Sequence, residues 1–204
     1  AITVTLAASA GGTATATVTG GTHVGTDKLY DFEVITGSAA DDRFINLIGG
    51  YQLNGGNGTA DTLDYSAETS ALNINLADKV SDQASSRVQT VSGFEYAIGG
   101  QGADTFAGNA GDNRFTGGDD IGVIDVATYS GVESRLTIDL ISSGSATIKG
   151  GAVVGSDTLV GIEQIVGGNL ADTFRGLVAG FNLHGGDGAD EIGGLQRGHV
   201  KPSA

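Results

Sequence analysis

The chain has 204 residues, with 36 glycines, one proline and no Cys, Met or Trp, and its 24 acidic side chains against 10 basic ones give a net charge of −14. Phosphate contacts need clustered Lys and Arg, so this balance argues against nucleic acid as a partner, and the absence of cysteine excludes disulfide staples and thiol chemistry. A cysteine-free acidic chain fits a secreted bacterial type of protein stabilised by ions, because self-repulsion opposes a compact state until cations neutralise it.

In chain order, ITVTL at 2 to 6 alternates polar and apolar residues and reads as a strand, followed by a second alternating run, TATATVTG at 13 to 20. DFEVITGSAADDRF at 31 to 44 leads into three consecutive segments of about nine residues: GSAADDRFI at 37 to 45, NLIGGYQLN at 46 to 54 and GGNGTADTLD at 55 to 64. Tyr65 and Ser66 close this first unit. The same order then recurs: LNINL at 72 to 76, SSRVQTVSG at 85 to 93, GFEYAIGGQGADTF at 93 to 106, GNAGDNRFT at 108 to 116, GGDDIGVIDV at 117 to 126, and Tyr129 with Ser130. The third copy runs through LTIDL at 136 to 140, SATIKGGAVVG at 145 to 155, GIEQIVGGNLADTFR at 161 to 175, GLVAGFNLH at 176 to 184 and GGDGADEIG at 185 to 193. The chain therefore reads as one domain, 1–204, of three repeats at 1–66, 67–130 and 131–194 with a tail at 195–204. No segment has a helical period, and no apolar run approaches the roughly 18 residues of a membrane helix. No N-terminal signal pattern is seen.

GGQGADTFA at 99 to 107 and GGDGADEIG at 185 to 193 fit the pattern G-G-x-G-x-D-x-U-x at every specified position, U being an apolar residue. Glycines without a Cβ let such a loop turn its carbonyl oxygens inward, the Asp adds a carboxylate, and both are the hard oxygen ligands calcium prefers. The following triplet is a short strand with its middle residue facing in, which puts Phe44, Phe106, Phe115 and Phe174 in a core stack. If each nonamer is half a coil, the first and third loops of a unit stack on one edge and the middle loop lies opposite.

The candidate metal-binding residues are then Gly37, Asp41, Asp42, Gly55, Asn57, Gly58 and Asp61 in the first unit and Gly167, Asn169, Asp172, Gly185, Asp187, Gly188 and Asp190 in the third. In the second they are Gly99, Gly102, Asp104, Gly117, Asp119 and Asp120, with Asp125 as an alternative because GGDDIGVIDV has lost its register. The middle loops at 46–54 and 176–184 carry no acid, while Asp112 and Asn113 survive in the second unit. About one or more calcium ions per repeat are expected, on one edge.

These repeats resemble the RTX, or haemolysin-type, calcium-binding repeat family, in the variant common in large secreted proteins and adhesins. The resemblance implies an all-β, right-handed parallel β-roll or β-helix solenoid, type I secretion, and folding outside the cell on calcium. It implies the carbonyls of Gly99, Gly102, Gly185 and Gly188 and the carboxylates of Asp104 and Asp190 as ligands. Leu170 and Ala40 stand where the fourth loop glycine is expected, which weakens those loops.

His23, His184 and His199 share no metal-ligand spacing, and neither H-E-x-x-H nor G-x-S-x-G occurs. Glu33, Glu95 and Glu163 recur once per unit, and since an active site is normally built once, they read as structural acids that cap amides or join a calcium site. Tyr65 and Tyr129 read as packing residues with a bonded hydroxyl. The expected function is non-enzymatic: a calcium-binding structural or adhesive module of a secreted or cell-surface bacterial protein, a possible surface layer or filament former. Its expected partners are calcium, further copies of itself, or a cell-surface polysaccharide. The alternatives are an accessory secretion and stability module of a protease, lipase or polysaccharide epimerase, and a carbohydrate-binding adhesin.

Overall fold

The computed structural model describes residues 1–7, 15–20, 24–45, 49–84, 87–118, 122–176 and 178–193. The first unit contains β1 (Thr3–Ala7), β2 (Thr15–Gly20), β3 (Gly25–Tyr30), β4 (Val34–Thr36), β5 (Arg43–Ile45), β6 (Gln52–Asn54) and β7 (Thr62–Asp64). The second contains β8 (Leu72–Asn75), β9 (Lys79–Asp82), β10 (Val88–Ser92), β11 (Tyr96–Ile98), β12 (Thr105–Ala107), β13 (Arg114–Thr116) and β14 (Val126–Thr128). The third contains β15 (Thr137–Ser142), β16 (Ser145–Lys149), β17 (Ser156–Val160), β18 (Gln164–Val166), β19 (Thr173–Arg175), β20 (Asn182–His184) and β21 (Glu191–Gly193). The protein is all-β, with the strands in two mostly parallel sheets of 12 and 9.

Each unit begins with a three-strand antiparallel meander, β1–β3, β8–β10 or β15–β17. Four short strands follow, each in the opposite sheet from the one before. Counting the meander as one position, a unit occupies five positions, an odd number, so the next meander falls in the other sheet. The meanders of units one and three accordingly lie in the larger sheet, and that of unit two lies in the smaller.

The short strands are held by parallel ladders in which like positions stack. Phe44, Leu63, Ala97, Phe115 and Leu159 form one column; Ile74, Phe106, Ala127 and Ile165 form another in the facing sheet. All of these side chains are fully or almost fully buried. The reason is local: in Thr105-Phe106-Ala107 and Arg114-Phe115-Thr116 the strand alternation turns only the middle residue inward. Phe44, Phe106, Phe115 and Phe174 occupy the core as expected, with Phe44 edge-on to Phe94 at 5.1 Å between centroids and Phe106 tilted on Phe115 at 5.3 Å.

Where a meander hands over to the short strands, the chain adopts a left-handed conformation at one equivalent position per unit. Gly93 and Gly161 have φ of 64° and 62°, and Asp31 takes 51°; glycine suits this position because it lacks the Cβ that opposes positive φ. One expectation changes: after β16, the run 150–155 leaves the strand for a 3₁₀ turn at Gly151–Val153, since two glycines there interrupt the alternation. The tail at 195–204, part of the first excursion at 13–14, and Ser85 and Ser86 lie outside the described residues.

Candidate functional site

The glycine loops connect the two sheets, and their geometry starts from the first glycine of each. A Cβ on Gly37 would lie 2.0 Å from the carbonyl oxygen of Gly55 and 2.6 Å from Asp42 Oδ2; on Gly167 it would lie 2.0 Å from the Gly185 oxygen and 2.6 Å from Asp172 Oδ2. Gly117 meets the Gly161 oxygen at 2.0 Å and Asp125 Oδ2 at 2.3 Å. At these positions only glycine lets a carbonyl and a carboxylate of stacked loops approach so closely.

Each first-loop Asp fastens two layers. Its Oδ2 accepts an amide within its own loop, from Ser38 for Asp42, from Gly100 for Asp104 at 2.6 Å and from Gly168 for Asp172 at 2.8 Å. Its Oδ1 accepts an amide at the start of a meander: Ile2, Leu72 and Leu136 at 2.5, 2.7 and 2.8 Å. Its own amide then donates to the carboxylate of the third loop: Asp42 to Asp61 at 2.6 Å, Asp104 to Asp125 at 2.8 Å and Asp172 to Asp190 at 3.0 Å. The ladder continues into the next unit, because the Asp61 and Asp125 amides donate to Glu95 and Glu163, each at 2.9 Å. Glu95 and Glu163 are thus amide-capping acids at the two joints between units, while Glu33 is exposed.

The first and third loops of each unit do stack on one edge. Asn57 donates its amide to the Ser38 oxygen, Asp41 accepts the Thr59 and Ala60 amides, and Asp187 donates to the Gly168 oxygen. Gly58 lies against the Asp61 carboxylate, Gly188 against Ala171, and Asn169 donates to the Val132 oxygen. The edge changes, however, from unit to unit: the acid pairs of units one and three lie where the chain passes from the smaller to the larger sheet, and that of unit two lies on the opposite edge. An odd number of positions per unit requires this, so the expectation of acids along a single edge is corrected. In unit two, Asp125 is the stacked carboxylate; Asp119 and Asp120 lie outside the described residues. Gly102 packs on Ser70 and Ala71. Asp112 and Asn113 sit on the other edge, where Asp112 accepts the Ser156 amide and Asn113 donates its amide to Asp157 at 2.9 Å.

Burial and stacking perturb these acids. Asp61 is fully buried, which raises its carboxyl above the usual range, and the charges of Asp42 and Asp41 add to the effect. Glu95 is raised by burial and then by Asp61 and Asp41, and Asp172 by burial and then by Asp190. No donor meets Asp61 Oδ2 in good hydrogen-bond geometry, although the Gly58 amide lies close enough to the carboxylate to offset part of the rise. The acceptors that gather here are carboxylate and carbonyl oxygens, the ligand type a hard cation requires, while the donors that meet them are backbone amides. Among the described residues no three Asp, Glu or His side chains converge on one point.

Asp157 was not foreseen from the sequence. It is buried, accepts the Tyr129 hydroxyl at 2.9 Å, and burial, with Asp112 nearby, pushes its carboxyl up to about 6. The signal available was its alignment with Gln89, which receives the Tyr65 hydroxyl at 3.1 Å. An unfolded Asp ionises near 3.9, so between about pH 4 and 6 the folded chain binds the extra proton. Its stabilising effect is complete below pH 4 and is lost as pH rises through 6. At a fixed saturating calcium concentration, stability should therefore fall from pH 4.5 to 7.5, with Asp157 contributing at most about 3 kcal/mol. Asp157→Asn should flatten this slope in urea unfolding, and an unchanged slope would remove Asp157 as its source.

His184 ends β20 and is exposed, whereas His23 and His199 lie outside the described residues. No family model, curated protein or solved structure matches the chain. Among the described residues, no helix is long and apolar enough to cross a membrane.

Proposed function

We propose that the chain is a calcium-binding structural module, a right-handed parallel β-roll with long meander insertions, in a secreted or surface-exposed bacterial protein. The observation that carries this reading is the Asp61 carboxylate: fully buried, raised by burial and by the charges of Asp42 and Asp41, and closely approached by Gly55 and Gly58, where a Cβ would lie 2.8 and 2.7 Å from its Oδ2. An ion seated there takes the carboxylate charge that protein donors leave uncompensated. Asp42 and Asp172, by contrast, have both oxygens engaged by amides and serve first as staples between layers.

Calcium supplies charge neutralisation in this scheme, and the chain supplies position. Because a site of stacked loops exists only in the folded state, binding free energy adds to folding free energy. Extracellular calcium modules typically bind at about 10⁻⁴ to 10⁻³ M, which suits a chain that stays loose inside a cell and closes outside. Isothermal titration should give saturable calcium binding in that range and none with magnesium, whose small octahedral shell such loops do not match. Asp61→Asn should weaken at least one site about tenfold. Equal heats for the two metals, or an unchanged isotherm in the variant, would count against the assignment.

A further inference from the structure

We propose that the outer edges of β3 and β4 and those of β20 and β21 are the two halves of a unit-to-unit joint, and that copies of this protein dock head to tail through them. The observation is the internal joint itself, which occurs twice with the same bonds. Between units one and two, β10 pairs with β6 and β11 with β7; between units two and three, β17 pairs with β13 and β18 with β14. In both, an amide of the returning meander strand donates to the preceding unit: Thr90 to the Tyr51 oxygen and Thr158 to the Asn113 oxygen. The first glycine of the third loop donates back, Gly55 to Ser92 and Gly117 to Val160. The joint glutamate accepts the third-loop Asp amide, as described for Glu95 with Asp61 and Glu163 with Asp125.

The first unit presents one half of this joint and the third unit the other. Among the described residues, nothing pairs with the outer edges of β3 and β4, or with those of β20 and β21. By alignment on the left-handed residues Asp31, Gly93 and Gly161, Lys28 stands for Thr90 and Thr158, Glu33 for Glu95 and Glu163, and Asp190 for Asp61 and Asp125. Glu33 is exposed while Glu95 and Glu163 are half-buried. The core is unfinished at the same places. Leu29, Leu183 and Ile192 are only half-buried, whereas their interior counterparts Val91 and Leu159, Leu53 and Phe115, and Leu63 and Ala127 are buried. Tyr30 and Val34 stand 62% and 57% exposed.

Carrying the internal registers across sets Lys28 opposite Asn182, Leu29 opposite Leu183 and Tyr30 opposite His184, with Val34 opposite Glu191 and Ile35 opposite Ile192. Apolar meets apolar at both core positions, and Glu33 receives the amide of Asp190. The larger sheet of one copy continues the smaller sheet of the next, as an odd count per unit demands. Such a contact is heterologous and does not close on itself, so it propagates as a filament. The occupant is a second copy of this chain, added by strand pairing at an exposed edge. The joint lacks one internal feature, since Gly194 stands in the sequence where Tyr65 and Tyr129 stand.

The test uses the cysteine-free chain in calcium, with far-UV circular dichroism recorded on the same samples. Sedimentation should show mass rising with concentration, and Lys28→Pro with Val34→Pro, which removes two outward amides, should return a folded monomer. Tyr30→Cys with His184→Cys should give a ladder of disulfide-linked species on oxidation, since neighbouring strands lie within disulfide reach. Tyr30→Cys with Asn182→Cys, two residues out of register, should give at least tenfold less. A folded wild-type chain that stays monomeric at high concentration overturns the proposal, as does association undiminished in the proline variant or equal ladders in the two cysteine pairs. The calcium assignment fails separately: a chain that folds and associates in chelator refutes the metal reading and leaves the joint standing.

Discussion

Gly117→Ala is expected to destabilise the protein by about 3 kcal/mol or more, a value reserved for substitutions that break a packed layer. The new Cβ would lie 2.0 Å from the Gly161 oxygen and 2.3 Å from Asp125 Oδ2. Neither neighbour is the free end of a flexible side chain. Gly161 belongs to the left-handed turn that delivers β18, and Asp125 receives the Asp104 amide and donates its own to Glu163. Relieving the clash therefore separates two layers and releases their shared hydrogen bonds. Two controls isolate the cause. Gly131→Ala, at φ 85° with open space around its Cβ, carries only backbone strain of about 1 to 2 kcal/mol; Gly193→Ala, in open space without that φ, should change stability by no more than about 0.5 kcal/mol. Urea unfolding of the three variants ranks them, and a Gly117→Ala effect no larger than that of Gly131→Ala would show that close approach is not the reason for glycine there.

Phe106→Ala should lower stability by about 3 to 5 kcal/mol. The ring is fully buried, stacks between Ile74 and Ala127 in its sheet, and meets Phe115 from the facing sheet. No neighbour can fill the space without leaving its own ladder, so the loss combines transfer of the ring to solvent with a residual cavity. Because each layer touches only its neighbours, the damage should concentrate in the middle unit; hydrogen exchange should quicken most at the amides of β11 to β14. Leu170→Ala, at a loop position 42% exposed, should stay within about 0.5 kcal/mol of wild type. Equal effects at the two positions would contradict the assigned core.

Much of this arrangement could be read from residue order. The glycine pattern marks the loops, the apolar residue two places after each Asp marks the inward position, and Phe44, Phe106, Phe115 and Phe174 follow from strand alternation alone. The recurrence of Glu33, Glu95 and Glu163 pointed to a structural acid, and the amides of Asp61 and Asp125 supply the reason. Other features were not legible because they depend on which layer lies next to which. The alternation of acid pairs between edges follows from the number of sheet positions in a unit, which local pattern does not count. Asp157 looks like an ordinary polar residue opening a strand; only the arrival of the Tyr129 hydroxyl and the Asn113 amide makes it a buried acceptor. Likewise, the motif says that an Asp belongs in each loop, but not that the Asp of the first loop has its oxygens occupied by amides while the third-loop Asp61 keeps one that no donor meets in good geometry.

The role proposed for calcium is to hold the stacked loops of this acidic chain together. Its most direct test is far-UV circular dichroism with a thermal melt, begun in excess chelator and titrated with calcium, with magnesium as the parallel series. The β signal and the melting temperature should rise together with calcium and not with magnesium. A chain equally folded and equally heat-resistant in chelator would contradict this role, and would make the glycine loops turns held by their own carboxylates.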